Sequence, residues 1–268
     1  MPLLLALLVS TVHAEGEEKP PVDKPAEFNY VLGLRVNNGP DYMGSSTRST
    51  GVRPVMALYF GRFRLSNSGA SAVMGFGREQ ESSGASIDLV DRKRLSLGGS
   101  LRIDSGRSSS DSPRLAGLPD VKRTLRAQLS ARYHLAEGLD LGLTWNTDLL
   151  GEGGGAIASL GIAKRLYKDG GTEWTAGGGV SWGNATNQRA YFGVTPAAAL
   201  TSGYRIYEPG SGLRDAYVGT GWTRAINHHW IAFGALSYSQ LQGPSADSPL
   251  VQQRGALIGS IGLAYRSR

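Results

Sequence analysis

The sequence predicts an all-β protein: a closed antiparallel transmembrane β-barrel of about twelve strands, with ten as the alternative count. Three observations predict it. Runs of roughly a dozen residues alternate apolar and polar side chains, the period of a strand with two unlike faces. From Leu95 onward, long loops (105–120, 149–154, 184–211, 241–253) alternate with short turns (136–138, 167–171, 225–228), an asymmetry typical of outer-membrane barrels. Nowhere does the chain hold the ~18 consecutive apolar residues of a membrane-crossing helix, whereas a barrel can cross by pairing every backbone group in its wall. A soluble sandwich also alternates, but it turns its apolar face inward and rarely shows such regular loop asymmetry.

Taken in order, residues 1–14 (MPLLLALLVSTVHA) carry an apolar core from Leu3 to Val9 and end in Val-His-Ala, a small-residue cleavage pattern that predicts an export signal cut after Ala14. Residues 15–27 (EGEEKPPVDKPAE) are charged and proline-rich with nothing to bury, a flexible periplasmic lead. The barrel occupies 28–268. In its first strand Phe28, Tyr30, Leu32, Leu34 and Val36 share a face, opposite Asn29, Gly33 and Arg35; residues 37–50 are turn formers. Val52, Pro54, Met56, Leu58 and Phe60 then oppose Arg53, Ala57 and Tyr59, although a proline counts against a central ladder position. In 61–94 the segments FRLS (63–66) and SAVMGF (71–76) read as two short strands, and 78–93 reads as polar.

The alternation sharpens after that. Leu95, Leu97, Leu101 and Ile103 oppose Ser96, Ser100, Arg102 and Asp104. The clearest strand sets Leu125, Ala127, Leu129, Ala131, Tyr133 and Leu135 against Thr124, Arg126, Gln128, Ser130, Arg132 and His134. Strands at 139–146, 155–166 and 172–182 follow, then an irregular loop at 184–211 and a strand at 212–224. A closing hairpin, 229–268, brings the last strand round to the first.

With the apolar parity in lipid, the lumen receives Arg35, Arg53, Arg102, Arg126, Arg132 and Arg165, with Asp104, Asp140 and Glu173 among them. Those arginines fit two readings: an anion-favouring pore, or an internal ion-pair network filling a narrow barrel. Trp145, Trp174, Trp182 and Tyr133 lie toward strand ends, where interfacial girdles sit.

The 268 residues include 38 Gly and no Cys, which excludes disulfides and thiolate metal sites. The formal charge of +6 is spread along the chain without a basic block, so nucleic acid is not an expected partner. No enzymatic chemistry is expected either. Ser130 and His134 share a parity, but four strand residues span about 13 Å, too far for a dyad. The Gly-rich 151–155 lacks the Lys-Ser/Thr of a phosphate loop, and Asp41, Asp120 and Asp247 lack calcium-loop spacing, so neither cofactor nor metal is predicted.

A set of loop motifs carries a family resemblance. Tyr191-Phe192-Gly193-Val194-Thr195, the Gly203-Tyr204 step, GSGLRD at 210–215, His229-Trp230 and LQGPSADSPLV at 241–251 (with Gly243, Asp247, Ser248 and Pro249) resemble the MltA-interacting protein (MipA)/OmpV family of Gram-negative outer-membrane proteins. Pro40-Asp41-Tyr42-Met43-Gly44-Ser45 and Leu118-Pro119-Asp120 are similar to elements of the same family. Two places differ: Gly243-Pro244-Ser245 stands for a more usual glycine-aspartate-alanine, and the chain ends Arg266-Ser267-Arg268 instead of in an aromatic. The resemblance implies an outer-membrane scaffold, in contact with lipid, that brings a lytic transglycosylase together with a bifunctional murein synthase. A small diffusion channel with a basic lumen is the alternative. By the strand count the segments 191–195 and 243–249 lie on outward loops, away from the periplasm, so they serve either the barrel's own structure or an external or pore role.

Overall fold

The computed structural model describes residues 28–67 and 83–267. The expected signal (1–14), lead (15–27) and SAVMGF strand (71–76) lie outside those residues.

Twelve antiparallel strands close on themselves: β1 (Phe28–Pro40), β2 (Arg48–Phe60), β3 (Phe63–Ser66), β4 (Ser83–Asp91), β5 (Leu95–Asp104), β6 (Thr124–Ala136), β7 (Leu139–Asp148), β8 (Ala156–Asp169), β9 (Thr172–Gly183), β10 (Gly212–Ala225), β11 (Trp230–Leu241) and β12 (Gly255–Arg266). Each strand pairs with its sequence neighbours, and β1 seals the wall against β12, from Val31 opposite Arg266 to Asn38 opposite Gly259. The twelve-strand count is that read from the sequence, but the fourth strand is placed differently. Residues 83–91, within the stretch read as polar, form β4. The cause is a bulge at Leu89: Asp88 lies opposite Gly98 and Val90 opposite Leu97, so the inward–outward alternation slips by one residue mid-strand.

Alternation elsewhere follows from the two solvents of the wall. Leu34, Leu129, Val218 and Ile261 stand exposed on the outer face, while Arg35, Val55, Arg126 and Phe233 turn inward and are buried. In water that outer belt would cost roughly 25 cal/mol for each Å² of apolar area, far more than a soluble surface carries in one patch, so hydrocarbon must cover it. Pro54 fits because its missing N–H lies on the β3 side, where β3 has already ended. Asn67 fills the gap, its side-chain amide donating to Pro54 O (2.8 Å) and its Oδ1 accepting from Met56 N (2.9 Å).

Inside, one arc of wall is paved with glycine. Gly161 on β8 and Gly179 on β9 face each other, and the Tyr217 ring from β10 lies across them. A Cβ added at either glycine would come within 2.6 Å of the Tyr217 hydroxyl oxygen. On the arc from β11 round to β2, Val55, Ala57, Phe233 and Ala264 form an apolar lining.

The loop read as irregular, 184–211, contains two helices, α1 (Ala185–Phe192) and α2 (Pro196–Ser202). Local capping explains both. Asn184 accepts a hydrogen bond from Asn187 N at the start of α1. At α2, Thr195 accepts from Ala198 N, Pro196 opens the first turn, and Gly203 at φ 75° ends it. A single turn, α3 (Gly243–Ala246), interrupts the last loop.

Candidate functional site: a packed cap on the barrel mouth

At the long-loop end four loops pack into one cap. Its apolar centre joins Tyr42, Leu115, Leu118, Val194, Ala198 and Leu250, which come from the β1–β2, β5–β6, β9–β10 and β11–β12 loops. A second cluster holds Phe192, fully buried, against Leu241 and Ala246. The family-like motifs of the long loops therefore meet in one place, while His229-Trp230 lies at the opposite, short-turn end.

Side chain-to-backbone hydrogen bonds stitch the loops together. The Tyr42 hydroxyl donates to Leu250 O (3.1 Å), Ser248 Oγ to Phe192 O (2.6 Å) and Tyr207 Oη to Pro244 O (2.7 Å). Ser245 Oγ donates to Gln188 Oε1 (2.7 Å), and Gln188, also fully buried, donates to Gly212 O (3.2 Å). Gly193 caps α1 through its N–H to Arg189 O, and Gly243 takes φ 48° at the start of α3. Asp247 is exposed and pairs with Arg254 at 3.1 Å, while Pro249 is half-buried beside Ser248.

The cap is fastened to the wall at Arg126. This arginine is 2% exposed and sits where β6 enters the mouth. Its Nε donates to Asp104 on β5 (2.5 Å), its Nη1 to Asn146 on β7 (3.2 Å) and Gly155 O (3.0 Å), and its Nη2 to Gly154 O (2.7 Å). Two groups from α1 join them. The Tyr191 hydroxyl donates to the same Asp104 oxygen (3.0 Å), and Asn187 Nδ2 donates to the same Gly154 carbonyl (2.8 Å). Burial pushes the Tyr191 phenol up to about 12, the Asp104 carboxylate adds to the rise, and the Arg126 guanidinium opposes it. Arg107 holds the outer side, donating from Nη1 to Tyr191 O at 2.8 Å. Burial also raises the Tyr42 phenol.

The six arginines expected in the lumen do not form one ring. Arg35 lies opposite Arg53 across β1–β2, and Arg102 opposite Arg126 across β5–β6. Arg35 is buried at 5% exposure, Arg102 is half-buried, and Arg53 is exposed. Arg132 and Arg165 stand toward the short-turn end on β6 and β8, with β7 between them. Arg165 approaches Glu173 at 3.4 Å, and His134 Nδ1 meets Asp140 at 2.6 Å. Ser130 Oγ, by contrast, donates to Gly98 O (3.4 Å). The Asp104–Tyr191 link, 87 residues apart in sequence, is the contact that parity could not reveal, although each partner carries a signal of its own. Among the described residues no three His, Asp or Glu side chains cluster in a way that could hold a metal ion.

Comparison with known proteins matches residues 32–267 to a family model described as MltA-interacting protein MipA. The MltA-interacting proteins of Escherichia coli (strain K12) and Shigella flexneri are each 28% identical to the chain over 149 residues, 56% of this chain and 59% of theirs. The matched stretch thus spans less than two thirds of those relatives. Among solved structures, a KdgM porin covers 88% of this chain and 98% of its own at 10% identity and a TM-score of 0.43. An anion-selective porin from Comamonas acidovorans covers 90% and 99% at 8% identity and a TM-score of 0.40. A sealed β-wall with an apolar exterior, in a chain matching an outer-membrane family, places the protein in the outer membrane. The family match runs through the wall and all the cap motifs alike, and the chain belongs to the MltA-interacting protein MipA family.

Proposed function

We propose that the protein is a non-enzymatic scaffold of the outer membrane that holds a lytic transglycosylase near a bifunctional murein synthase. The observation that carries this reading is the family match over residues 32–267, with relatives named for interaction with MltA. The cap supports it. Four loops bury Asn187, Gln188, Phe192 and Arg126 in mutual contacts at the mouth, an arrangement suited to a fixed structure more than to solute passage. On this reading the cap is the barrel's own stiffening, and partners approach the short-turn end, which faces the periplasm in barrels of this kind.

The test is capture from envelope extract with the detergent-solubilised protein as bait. A lytic transglycosylase should co-purify, and the murein synthase should follow when the transglycosylase is present. Recovery of neither enzyme from an extract that contains both would overturn the scaffold reading.

A further inference from the structure

At the loop end three cations have carboxylate partners: Lys122 Nζ lies 2.9 Å from Glu152, Arg254 3.1 Å from Asp247, and Arg214 3.8 Å from Asp215. At the other end the β2–β3 turn carries Arg62, and the β4–β5 turn carries Arg92, Lys93 and Arg94, all exposed. These turns are neighbours on the rim because β3 pairs with β4. Arg62 reaches across that boundary, its Nη2 donating to the carbonyls of Asp88 (3.2 Å) and Leu89 (3.3 Å). Reciprocal backbone bonds between Arg92 and Leu95, at 2.9 and 3.1 Å, hold the second turn tight, and its side chains are exposed.

The carboxylates of β4 have other partners. Asp88 faces Arg64 at 3.9 Å, and Asp91 accepts from the Ser96 hydroxyl at 3.0 Å. Among the described residues, none of the four rim cations pairs with a carboxylate. Four exposed cations on two adjoining turns, none neutralised by a carboxylate, make a surface that favours a polyanion.

We propose that this surface, Arg62 with Arg92, Lys93 and Arg94, docks the free carboxylates of murein stem peptides. The short turns of an outer-membrane barrel face the periplasm, where the murein layer is the extended polyanion and its peptides end in carboxylates. A guanidinium grips a carboxylate with two parallel N–H bonds. Each exposed pair is weak and screened by salt, but a polymer repeats its carboxylates, so contacts add through effective concentration. The inference shares its orientation with the scaffold reading and does not require the transglycosylase.

The experiment is co-sedimentation of the full chain, in non-ionic detergent micelles free of lipid, with purified murein sacculi. Three arms are compared: native sacculi at low salt, native sacculi at high salt, and sacculi whose carboxylates have been amidated. The expected result is sedimentation with native sacculi at low salt only. The triple variant Arg92→Ser/Lys93→Ser/Arg94→Ser should bind roughly tenfold more weakly, and a lysine-only turn (Arg92→Lys/Arg94→Lys), which keeps the charge without the two-pronged grip, should fall between the two. Migration of the unheated protein on a gel checks that each variant keeps its barrel. Three outcomes would each overturn the proposal: no sedimentation of the parent protein, equal binding to amidated sacculi, or undiminished binding by the triple variant. Binding that emerges only after anionic phospholipid is added would overturn it too, assigning the turns to lipid headgroups. Transglycosylase capture by the same triple variant separates the two readings, since the scaffold reading predicts that it persists when sedimentation is lost.

Discussion

Arg126 illustrates how a charge that looks functional in the sequence takes on a structural task. Removing it leaves the half-buried Asp104 without its guanidinium partner and frees the carbonyls of Gly154 and Gly155, so Arg126→Ala should cost about 3 kcal/mol. Urea unfolding of the detergent-solubilised barrel measures that loss, and an unchanged midpoint would refute the fastening role. Tyr191→Phe removes one hydrogen bond to a charged acceptor and should cost less, about 1.5–3 kcal/mol. The phenol also sets a pH window. Its pKa rises from 10.0 to about 12 on folding, so the folded state holds the proton more tightly than the unfolded state. The stabilisation is whole below pH 10 and fades as pH climbs toward 12. Proteolysis of the 184–211 loop should therefore accelerate across that interval in the parent protein, and the acceleration should be smaller in Tyr191→Phe, where the raised Tyr42 phenol keeps its own share.

Among the elements, the regular strands were legible because lipid on one side and a polar lumen on the other impose period two on every residue. The exceptions have local physical causes. In β4 a bulge at Leu89 shifts the register between Asp88 and Val90 and breaks the alternation. In the 184–211 loop, α1 and α2 are too short for a helical stripe to emerge, yet Asn184, Thr195-Pro196 and Gly203 are capping signals that could have marked them. The motif loops were visible as a set, but their convergence depends on contacts such as Tyr42–Leu250 that strand parity does not reach. The seam between β1 and β12 has its own sensitive position. A Cβ at Gly33 would press on Leu263 O and lie 2.6 Å from Ala264 Cα, both backbone atoms of the partner strand. Gly33→Ala should thus weaken closure and shift the unheated protein from the compact to the extended gel position. The same replacement at Gly151, where nothing lies within 4 Å, tests only backbone strain at φ 73° in the loop and should leave the barrel band in place.

For the whole molecule, the cap predicts silence in a planar bilayer. The parent protein should show no stable conductance steps, whereas Arg126→Ala combined with Tyr191→Phe, which frees the cap from the wall, should admit ions; steady steps from the parent protein would instead favour a channel. The β1–β12 pairing also governs how the molecule comes to exist. Residues such as Leu34 and Leu263 meet across it although nearly the full polypeptide separates them. Any fragment lacking its final hairpin keeps two raw sheet edges with open amides and carbonyls, ready to pair with whatever strand comes near. Zipping is consequently a late event that rewards only a finished chain, and escort during transit matters more to this protein than any local propensity.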